Sequence, residues 1–139
     1  MHIRPFLEAD EPAVIALWEA CGLTRSWNDP RKDIARKLAV QREWFLVGEA
    51  GGRVVASIMA GYDGHRGWVN YLAVAPEARR SGHARTLVAE VERRLEAAGC
   101  PKINLQIRTS NAAVIEFYRR IGYAQDDVVS FGRRLIADE

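Results

Sequence analysis

The chain has 139 residues, of which 48% are hydrophobic and 27% are charged, and its formal net charge at neutral pH is only +2. A globular chain of this length can bury a core without disulfides or bound metal, and we expect one domain over residues 1–139. The small net charge gives no general attraction for nucleic acids or anionic membranes. Arginine nevertheless occurs in four adjacent pairs, which we interpret as solvated surface or, in the alternative, as a basic groove for a nucleic acid. The pairs are Arg79 with Arg80, Arg93 with Arg94, Arg119 with Arg120, and Arg133 with Arg134.

The two cysteines, Cys21 and Cys100, are far apart and match no metal-ligand spacing. We therefore expect two reduced thiols, a cytoplasmic location and no bound metal. No apolar run has the length of a signal peptide or a membrane span, so we expect no association with membranes.

The first part of the chain predicts a strand followed by two helices. Residues 2–5 form the strand, and Asp10 can cap a helix that has a proline in its first turn. Asp29 and Pro30 give the same pair of signals for the second helix. Trp27, in the loop between the helices, has two interpretations: a hydrophobic plug under the loop, or one wall of a binding pocket. The core positions share a helical spacing: Val14, Leu17, Trp18 and Cys21, then Ile34 and Leu38.

Three strands joined by glycine-rich turns come next. They cover residues 44–49, residues 54–61 and a stretch that begins at Trp68, and connections of this kind predict an antiparallel meander. A helix and a strand over residues 102–107 follow, and this order predicts a right-handed crossover onto a parallel neighbour. The buried face of that helix is expected to consist of Leu87, Val88, Val91 and Leu95.

The turn between the third strand and its helix has the features of an anion site. The first amides of a helix lack intrahelical acceptors, and the helix dipole adds partial positive charge there. Gly82 lets the backbone approach a ligand closely, and Ala84 is small where the helix begins. The turn therefore predicts that a phosphate group is bound mainly by backbone amides.

The last part of the chain predicts a helix and a short pair of strands. Asn111 can cap the helix, and Gly122 can end it. Residues 123–136 are expected to contain the strand pair, around Asp126 and Asp127. In the alternative, residues 128–136 pair across a homodimer. The apolar face of the helix is expected to consist of Val114, Phe117, Tyr118 and Ile121.

Two motifs in this order carry a resemblance to a known family. Arg79, Gly82 and Ala84 match the Arg/Gln-x-x-Gly-x-Gly/Ala pattern of the GNAT superfamily of N-acetyltransferases. The late segment, with Asn111, Ala113, Tyr118, Gly122 and Tyr123, is similar to that family's final helix. Three further segments resemble the small bacterial YpeA-type acetyltransferases: residues 28–30, 61–67 and 99–103. The resemblance covers the whole chain and implies an α/β fold with a mixed sheet of six to seven strands flanked by four helices.

The resemblance also implies an activity and its site. Members of the family transfer an acetyl group from acetyl-CoA to a primary amine by direct attack. By this resemblance the backbone of Leu72, Ala73 and Val74 pairs with the pantetheine arm, and an amide of Leu72 or Ala73 donates to the thioester oxygen. The remaining cofactor-binding residues implied are Arg79, Arg80, Ser81, Gly82, His83, Ala84, Arg85 and Asn111.

Tyr118 is the expected general acid, which protonates the departing CoA thiolate. A phenol can donate a proton to a thiolate through a short hydrogen bond. Periodicity alone would assign Tyr118 to the core, and the motif is what favours the catalytic role. Asn111 lies two helical turns earlier, so it can face the same cleft or serve only as the helix cap.

The general base stays unassigned at this point. Many members of the family carry a carboxylate where this chain has Trp68. A protonated amine must still lose a proton before it attacks. The candidates are Asp29, Glu49, Asp63 and His65, and an acceptor pocket could combine the side chains of Trp27, Tyr62, Asp63 and Trp68.

Three classes of function therefore remain: an N-acetyltransferase for a small-molecule or protein amine, a catalytically weak acyl-CoA-binding module, and a nucleic-acid binder. The missing carboxylate motivates the second class, and the arginine pairs motivate the third. We expect the first class, with acetyl-CoA as co-substrate.

Overall fold

The computed structural model describes residues 1–138 and contains, within them, five strands and four α-helices. Glu139, the last residue of the expected domain, lies outside the described residues. The strands are β1 (His2–Pro5), β2 (Phe45–Ala50), β3 (Arg53–Tyr62), β4 (Gly67–Val74) and β5 (Ile103–Leu105). The helices are α1 (Glu11–Ala20), α2 (Pro30–Leu38), α3 (His83–Ala97) and α4 (Ala112–Arg120).

The strands form one mixed sheet in the order β1-β2-β3-β4-β5. Each of the first four strands is antiparallel to its neighbour, which confirms the predicted meander. Strand β5 is parallel to β4, as expected for two strands joined through a helix. Among residues 1–138, no helix has the length and apolar character needed to cross a membrane.

Local signals set the ends of most helices. The Asp29 side chain accepts a hydrogen bond from the amide of Arg31, and the Asn111 side chain accepts one from the amide of Val114, so both predicted caps are confirmed. Asp10 does not cap α1. Its carboxylate instead accepts a bidentate pair of hydrogen bonds from Arg4 and a third from the amide of Leu7. An ionic partner on β1 therefore competes successfully for the capping side chain.

Helices cover both faces of the sheet. Helix α1 packs on one face, where Trp18 stacks on Phe45 and Tyr71. Helix α2 covers the same face, because its Asp33 accepts a hydrogen bond from the hydroxyl of Tyr71, whose ring stacks on Trp18. Helix α3 covers the opposite face. Its Leu95 side chain lies so close to Gly67 that a Cβ atom placed on Gly67 would be 3.0 Å from it. The central strands are therefore buried on both sides, which explains their long apolar runs.

A β-bulge interrupts β4. Ser57 pairs with Ala73 and Met59 pairs with Asn70, so two residues of β4, Tyr71 and Leu72, lie opposite a single residue of β3. Tyr71 has a φ of 52°, which is rare for a residue with a side chain. A left-handed conformation costs such a residue about 1–2 kcal/mol, so the surrounding contacts must stabilise it.

The contacts that hold the bulge come from a buried serine. Ser57 is fully buried, and its hydroxyl donates to the carbonyl of Tyr71 at 2.9 Å. The same hydroxyl accepts a hydrogen bond from the indole nitrogen of Trp18 at 2.8 Å. The Trp18 ring also stacks on the Tyr71 ring with 3.8 Å between centroids. Helix α1, β3 and the bulge are thus joined at one point.

The predicted strand pair after α4 is wrong, and the described sheet has five strands rather than six to seven. Residues 123–138 contain no strand. The apolar doublets Val128–Val129 and Leu135–Ile136 each place neighbouring side chains on opposite faces of a strand, so one face cannot collect all the apolar residues. Phe131 is accordingly 93% exposed. Ion pairs hold the segment at both ends, from Lys102 to Asp126 and from Arg36 to Asp138.

Substitution Ser57→Ala should destabilise the protein by about 1–3 kcal/mol, because it leaves the buried indole N–H of Trp18 without an acceptor. Urea denaturation followed by circular dichroism measures this change in the free energy of unfolding. Substitution of the exposed Ser110 by alanine is the matched control and should change it by less than about 0.5 kcal/mol. Equal stabilities for the two variants would contradict this account of the bulge.

Candidate functional site

The sheet splits between β4 and β5. The two strands pair only over three residues, and the pairing ends at Val69 and Leu105. From Asn70 to Val74 that edge of β4 has no neighbouring strand among residues 1–138. A free strand edge offers backbone donors and acceptors to an extended ligand. The bulge lies within this free stretch, and the expected pantetheine-binding residues, Leu72 to Val74, all belong to it.

The predicted anion turn follows directly after β4. Helix α3 begins at His83, and Gly82 occupies the cap position with a φ of 80° and no side-chain cap. Arg80 is also in the left-handed region, with a φ of 65°. Within the described residues, the amides from Arg80 to Arg85 donate no hydrogen bond to the protein. Six consecutive donors at the start of a long helix form a site suited to a phosphate group.

Two side chains of the turn are engaged within the protein itself. The Arg79 guanidinium donates to the carbonyl of Val74 at 3.1 Å and lies 3.5 Å from the sulfur of Cys21. The Ser81 hydroxyl donates to the carbonyl of Ala78. These contacts shape the turn, so the backbone amides, rather than Arg79 or Ser81, are the groups available to a ligand. Arg80 and Arg85 extend from the turn as exposed cations, and His83 and Ala84 are half-buried.

Tyr118 lies on the inner face of α4 and is only 5% exposed. Its ring makes edge contacts with Phe117 and Tyr123, at centroid distances of 5.1 and 5.2 Å. The hydroxyl makes no hydrogen bond within residues 1–138. Among these residues, the one side-chain atom that is fully buried without a hydrogen-bond partner is the oxygen of Asn104, so the Tyr118 hydroxyl keeps some access to solvent. Burial raises the pKa of Tyr118 well above its usual range. The group therefore stays protonated, as a proton donor must.

The four candidate bases have other partners. Asp29 caps α2, and Glu49 forms an ion pair with Arg4 on β1. The Asp63 carboxylate accepts hydrogen bonds from the amides of Arg66 and His65, and these bonds lower its pKa below the usual range. The two amides donate to Oδ1 and the Trp68 indole donates to Oδ2, so both oxygens of Asp63 are already engaged. His65 is exposed in the same turn, and the Arg66 guanidinium lies 3.5 Å from its Nδ1.

The expected aromatic acceptor pocket does not assemble as one unit. The indole of Trp68 does lie against Asp63, at 3.3 Å, and the Tyr62 hydroxyl faces the carbonyls of Gly64 and Gly99. Trp27 lies elsewhere, 55% exposed, with the Arg108 guanidinium 5.7 Å from its ring centre. This exposure contradicts the interpretation of Trp27 as a buried plug, whereas its interpretation as one wall of a binding pocket stays a prediction.

Sequence reasoning missed a carboxylate that faces the bulge. The Tyr71 hydroxyl donates to Asp33 of α2 at 2.6 Å, and the side-chain amide of Asn28 donates to the same oxygen at 2.5 Å. Asp33 lies in the first turn of its helix, where an acidic residue is favoured by the helix dipole alone. The sequence therefore gave no signal that it contacts β4. A tertiary contact across 38 residues, from Asp33 to Tyr71, creates this group.

The C-terminal segment borders the same region. Residues 132–136, Trp27 and Arg36 line an open cavity of about 560 Å³. The side chain of Asp138 has no exposed surface and accepts hydrogen bonds from the Asp29 amide at 3.0 Å and from Arg36 at 2.8 Å. Arg134 donates to the side chain of Asn28 at 3.2 Å. These contacts, which we call the tail latch, join the C-terminal segment to the loop between α1 and α2.

The arginine pairs form internal contacts in each case. Arg93 and Arg94 both bond Glu90, and Arg120 bonds Glu116. Arg79 donates to the carbonyl of Val74, and Arg134 forms an ion pair with Asp138 in the tail latch. Each of the four pairs therefore has at least one arginine that is bonded to another group of the chain. This pattern favours the solvated-surface interpretation over a basic groove.

A mixed sheet that opens after its fourth strand, followed by a turn of free amides at a helix start, defines the class of α/β acyltransferases. A model of the acetyltransferase (GNAT) family matches residues 7–123. The chain belongs to this family, and the resemblance found in its motifs is thereby confirmed.

Relatives and solved structures agree with this assignment. The chain is 48% identical over 139 residues to an acetyltransferase of Yersinia enterocolitica, an alignment that covers 100% of this chain and 99% of the relative. It is 51% identical over 140 residues to an acetyltransferase of Sodalis glossinidius, with the same coverage. A ribosomal-protein alanine N-acetyltransferase of Escherichia coli has a TM-score of 0.71 and 24% identity, over 87% of this chain and 76% of the other. An aminoglycoside N-acetyltransferase solved with CoA has a TM-score of 0.71 and 18% identity, over 97% of this chain and 100% of the other.

Substitution Asp138→Ala should release the tail latch, because it removes the acceptor of the Asp29 amide and the ionic partner of Arg36. Amide hydrogen exchange measured by NMR should show faster exchange of the Asp29 amide, by roughly tenfold. Asp127→Ala, in an exposed part of the same segment, is the control and should leave that amide unchanged. Unaltered exchange in Asp138→Ala would show that the latch does not form in solution.

Proposed function

We propose that the protein is an acetyl-CoA-dependent N-acetyltransferase that brings acetyl-CoA and a primary amine together in one ternary complex. The observation that carries this proposal is the free edge of β4 beside six unpaired amides. The edge from Leu72 to Val74 fits an extended pantetheine arm, and the amides of Arg80 to Arg85 fit the pyrophosphate. The structure of the aminoglycoside N-acetyltransferase with CoA supports the same choice of donor.

Chemistry at this site needs no enzyme nucleophile. The amine attacks the thioester carbon directly, so the protein contributes positioning and stabilisation of the developing oxyanion. The bulge leaves Leu72 without a register partner on β3, and we assign the amide of Leu72, or that of the adjacent Ala73, as the donor to the thioester oxygen. At Val74 the pantetheine meets a carbonyl that already accepts hydrogen bonds from Arg79 and Cys21.

Tyr118 is the group that we assign to protonate the CoA thiolate. It is protonated because burial raises its pKa, and its hydroxyl has no competing acceptor among residues 1–138. Asn111 has a structural duty as the cap of α4, and we assign it a secondary contact with the cofactor. The amine acceptor belongs either to a small molecule or to a protein, since the structural neighbours include an aminoglycoside and a ribosomal-protein acetyltransferase.

Three further features belong to the proposal. We place the protein in the cytoplasm because Cys21 and Cys100 are both unpaired. One domain over residues 1–139 is proposed because β1 and β5 share one sheet and Asp138 forms an ion pair with Arg36 of α2. A homodimer is proposed through residues 128–136, whose apolar side chains are exposed.

Isothermal titration calorimetry with acetyl-CoA tests the cofactor site. The parent protein should bind one equivalent, and Gly82→Trp should bind at least about 100-fold more weakly because the indole fills the turn. Gly51→Trp is a matched control: Gly51 also has a positive φ and open space around it, but it lies in the turn between β2 and β3. Equal binding by both variants would contradict the proposed pyrophosphate site.

Turnover tests the role of Tyr118. Tyr118→Phe should lower kcat by roughly 100-fold, as expected for loss of a general acid, with unchanged acetyl-CoA affinity. The measurement is CoA release with a thiol reagent over a panel of amino acids, peptides, polyamines and aminoglycosides. A normal rate for the variant would remove Tyr118 from the mechanism. A parent that binds acetyl-CoA and acetylates none of these amines would instead be an acyl-CoA-binding module.

A further inference from the structure

The bulge projects one side chain toward α2. Tyr71 stacks on Trp18, and this contact together with the bulge fixes the direction of its hydroxyl. That hydroxyl meets the Asp33 carboxylate, and Asn28 donates both to the same carboxylate oxygen and, at 3.1 Å, to the hydroxyl. A carboxylate, a phenol and an amide are therefore gathered beside the free edge of β4.

The two oxygens of Asp33 have different surroundings. Both neutral donors converge on Oδ2, whereas the one hydrogen bond that Oδ1 accepts within residues 1–138 comes from the Arg36 guanidinium at 3.4 Å. Arg36 is held more closely by Asp138, at 2.8 Å. The Asp33 side chain is 23% exposed, so it is within reach of a ligand from solvent. Oδ1 is thus a carboxylate oxygen with spare capacity to accept hydrogen bonds.

We propose that Asp33 binds the ammonium group of the acceptor and takes its proton, and that Tyr71 and Asn28 are positioning residues that aim the carboxylate. This inference rests on the proposed acetyl transfer and supplies the proton acceptor that neither β4 nor the four candidates from the sequence provide. An acceptor whose ammonium pairs with Asp33 lies next to the bulge, where the thioester is expected.

The proton balance closes with these groups. The Asp33 carboxylate takes one proton from the ammonium, and the neutral amine forms a bond to the thioester carbon. The carbon–sulfur bond then breaks, and the thiolate receives the Tyr118 proton. A second proton leaves the new amide nitrogen and returns to Tyr118 through water. The products are the N-acetyl amine, CoA thiol and one proton, which Asp33 releases to solvent.

Charged groups surround Asp33 on several elements. Arg36 lies on its own helix, Tyr71 faces it from β4, and Arg134 and Asp138 approach from the C-terminal segment. Burial and the neighbouring Asp33 raise the pKa of Tyr71 above its usual range, so its hydroxyl remains a donor at every working pH. The tail latch therefore sets the local charge next to the proposed amine site.

The test compares two amines in the parent and in Asp33→Asn, which keeps the shape and an acceptor for Tyr71. One probe is the best basic amine from the acceptor panel, and the other is methoxyamine, which is already unprotonated at neutral pH. For the basic amine, kcat/KM of the variant should fall by roughly 100-fold at pH 7 and recover as the pH rises. For methoxyamine the rate should stay within about threefold of the parent, because no ammonium proton must be removed.

Controls separate this role from a structural one. Tyr71→Phe keeps the Asp33 carboxylate, so its kcat/KM for the basic amine should fall by only about tenfold. Asp63→Asn removes the rival carboxylate and should behave as the parent. Equal losses with both amines, or an amine-selective loss in Asp63→Asn instead, would overturn the proposal. Calorimetry with acetyl-CoA separates a failure of the proposed function from a failure of this inference. If the parent does not bind acetyl-CoA, the proposed function is refuted. If the parent binds and turns over normally and Asp33→Asn is unaffected, only the role of Asp33 is refuted.

Discussion

The hydrogen bonds of Ser57 hold the part of the sheet on which the site depends. Ser57 is the one buried polar side chain in the core of the described residues, and its hydroxyl is both donor and acceptor. Because a hydroxyl can do both, one atom links the indole of Trp18 to the backbone of Tyr71. Those bonds compensate for the left-handed backbone of Tyr71 and thereby keep the bulge. A core serine would otherwise be an unfavourable choice between apolar neighbours.

The two regions that we propose for the substrates present different kinds of surface. The region assigned to the donor consists mainly of backbone groups, namely the β4 edge and the amides of Arg80 to Arg85. The region near Asp33 consists of side chains from the α1–α2 loop, from α2 and from the C-terminal segment. Backbone donors tolerate changes of side chain, whereas a side-chain pocket changes with each substitution. This division lets one family keep its donor while its members differ in their acceptors.

Much of the architecture was readable from local signals. Asp29 with Pro30, Asn111 and Gly82 each mark a helix boundary through chemistry within a few residues, and each prediction is confirmed. Asp10 failed as a cap because Arg4, from a different element, binds it. Asp33 was missed for the same reason, since its contact with Tyr71 exists only after α2 packs on the sheet. Local sequence determines where elements begin, and tertiary contacts determine which side chains meet.

The bulge gives no such signal. A non-glycine residue with positive φ leaves no mark in the sequence, and Tyr71 reads as an ordinary strand residue. The C-terminal segment misled in the opposite direction, because Val128, Val129 and Phe131 have the composition of a strand, yet all three side chains are exposed. Composition therefore predicted pairing where the periodicity of the side chains did not support it.

The position of Trp18 has a spectroscopic consequence. Of the four tryptophans, Trp18 alone is wholly enclosed, with its indole N–H bonded to Ser57 and its ring stacked on Tyr71. Trp27 and Trp68 are exposed. Because a buried indole emits at shorter wavelength than an exposed one, the blue edge of the intrinsic fluorescence comes mainly from Trp18, which contacts the bulge. The protein carries its own optical reporter of events at the free edge of β4, with no need for a label.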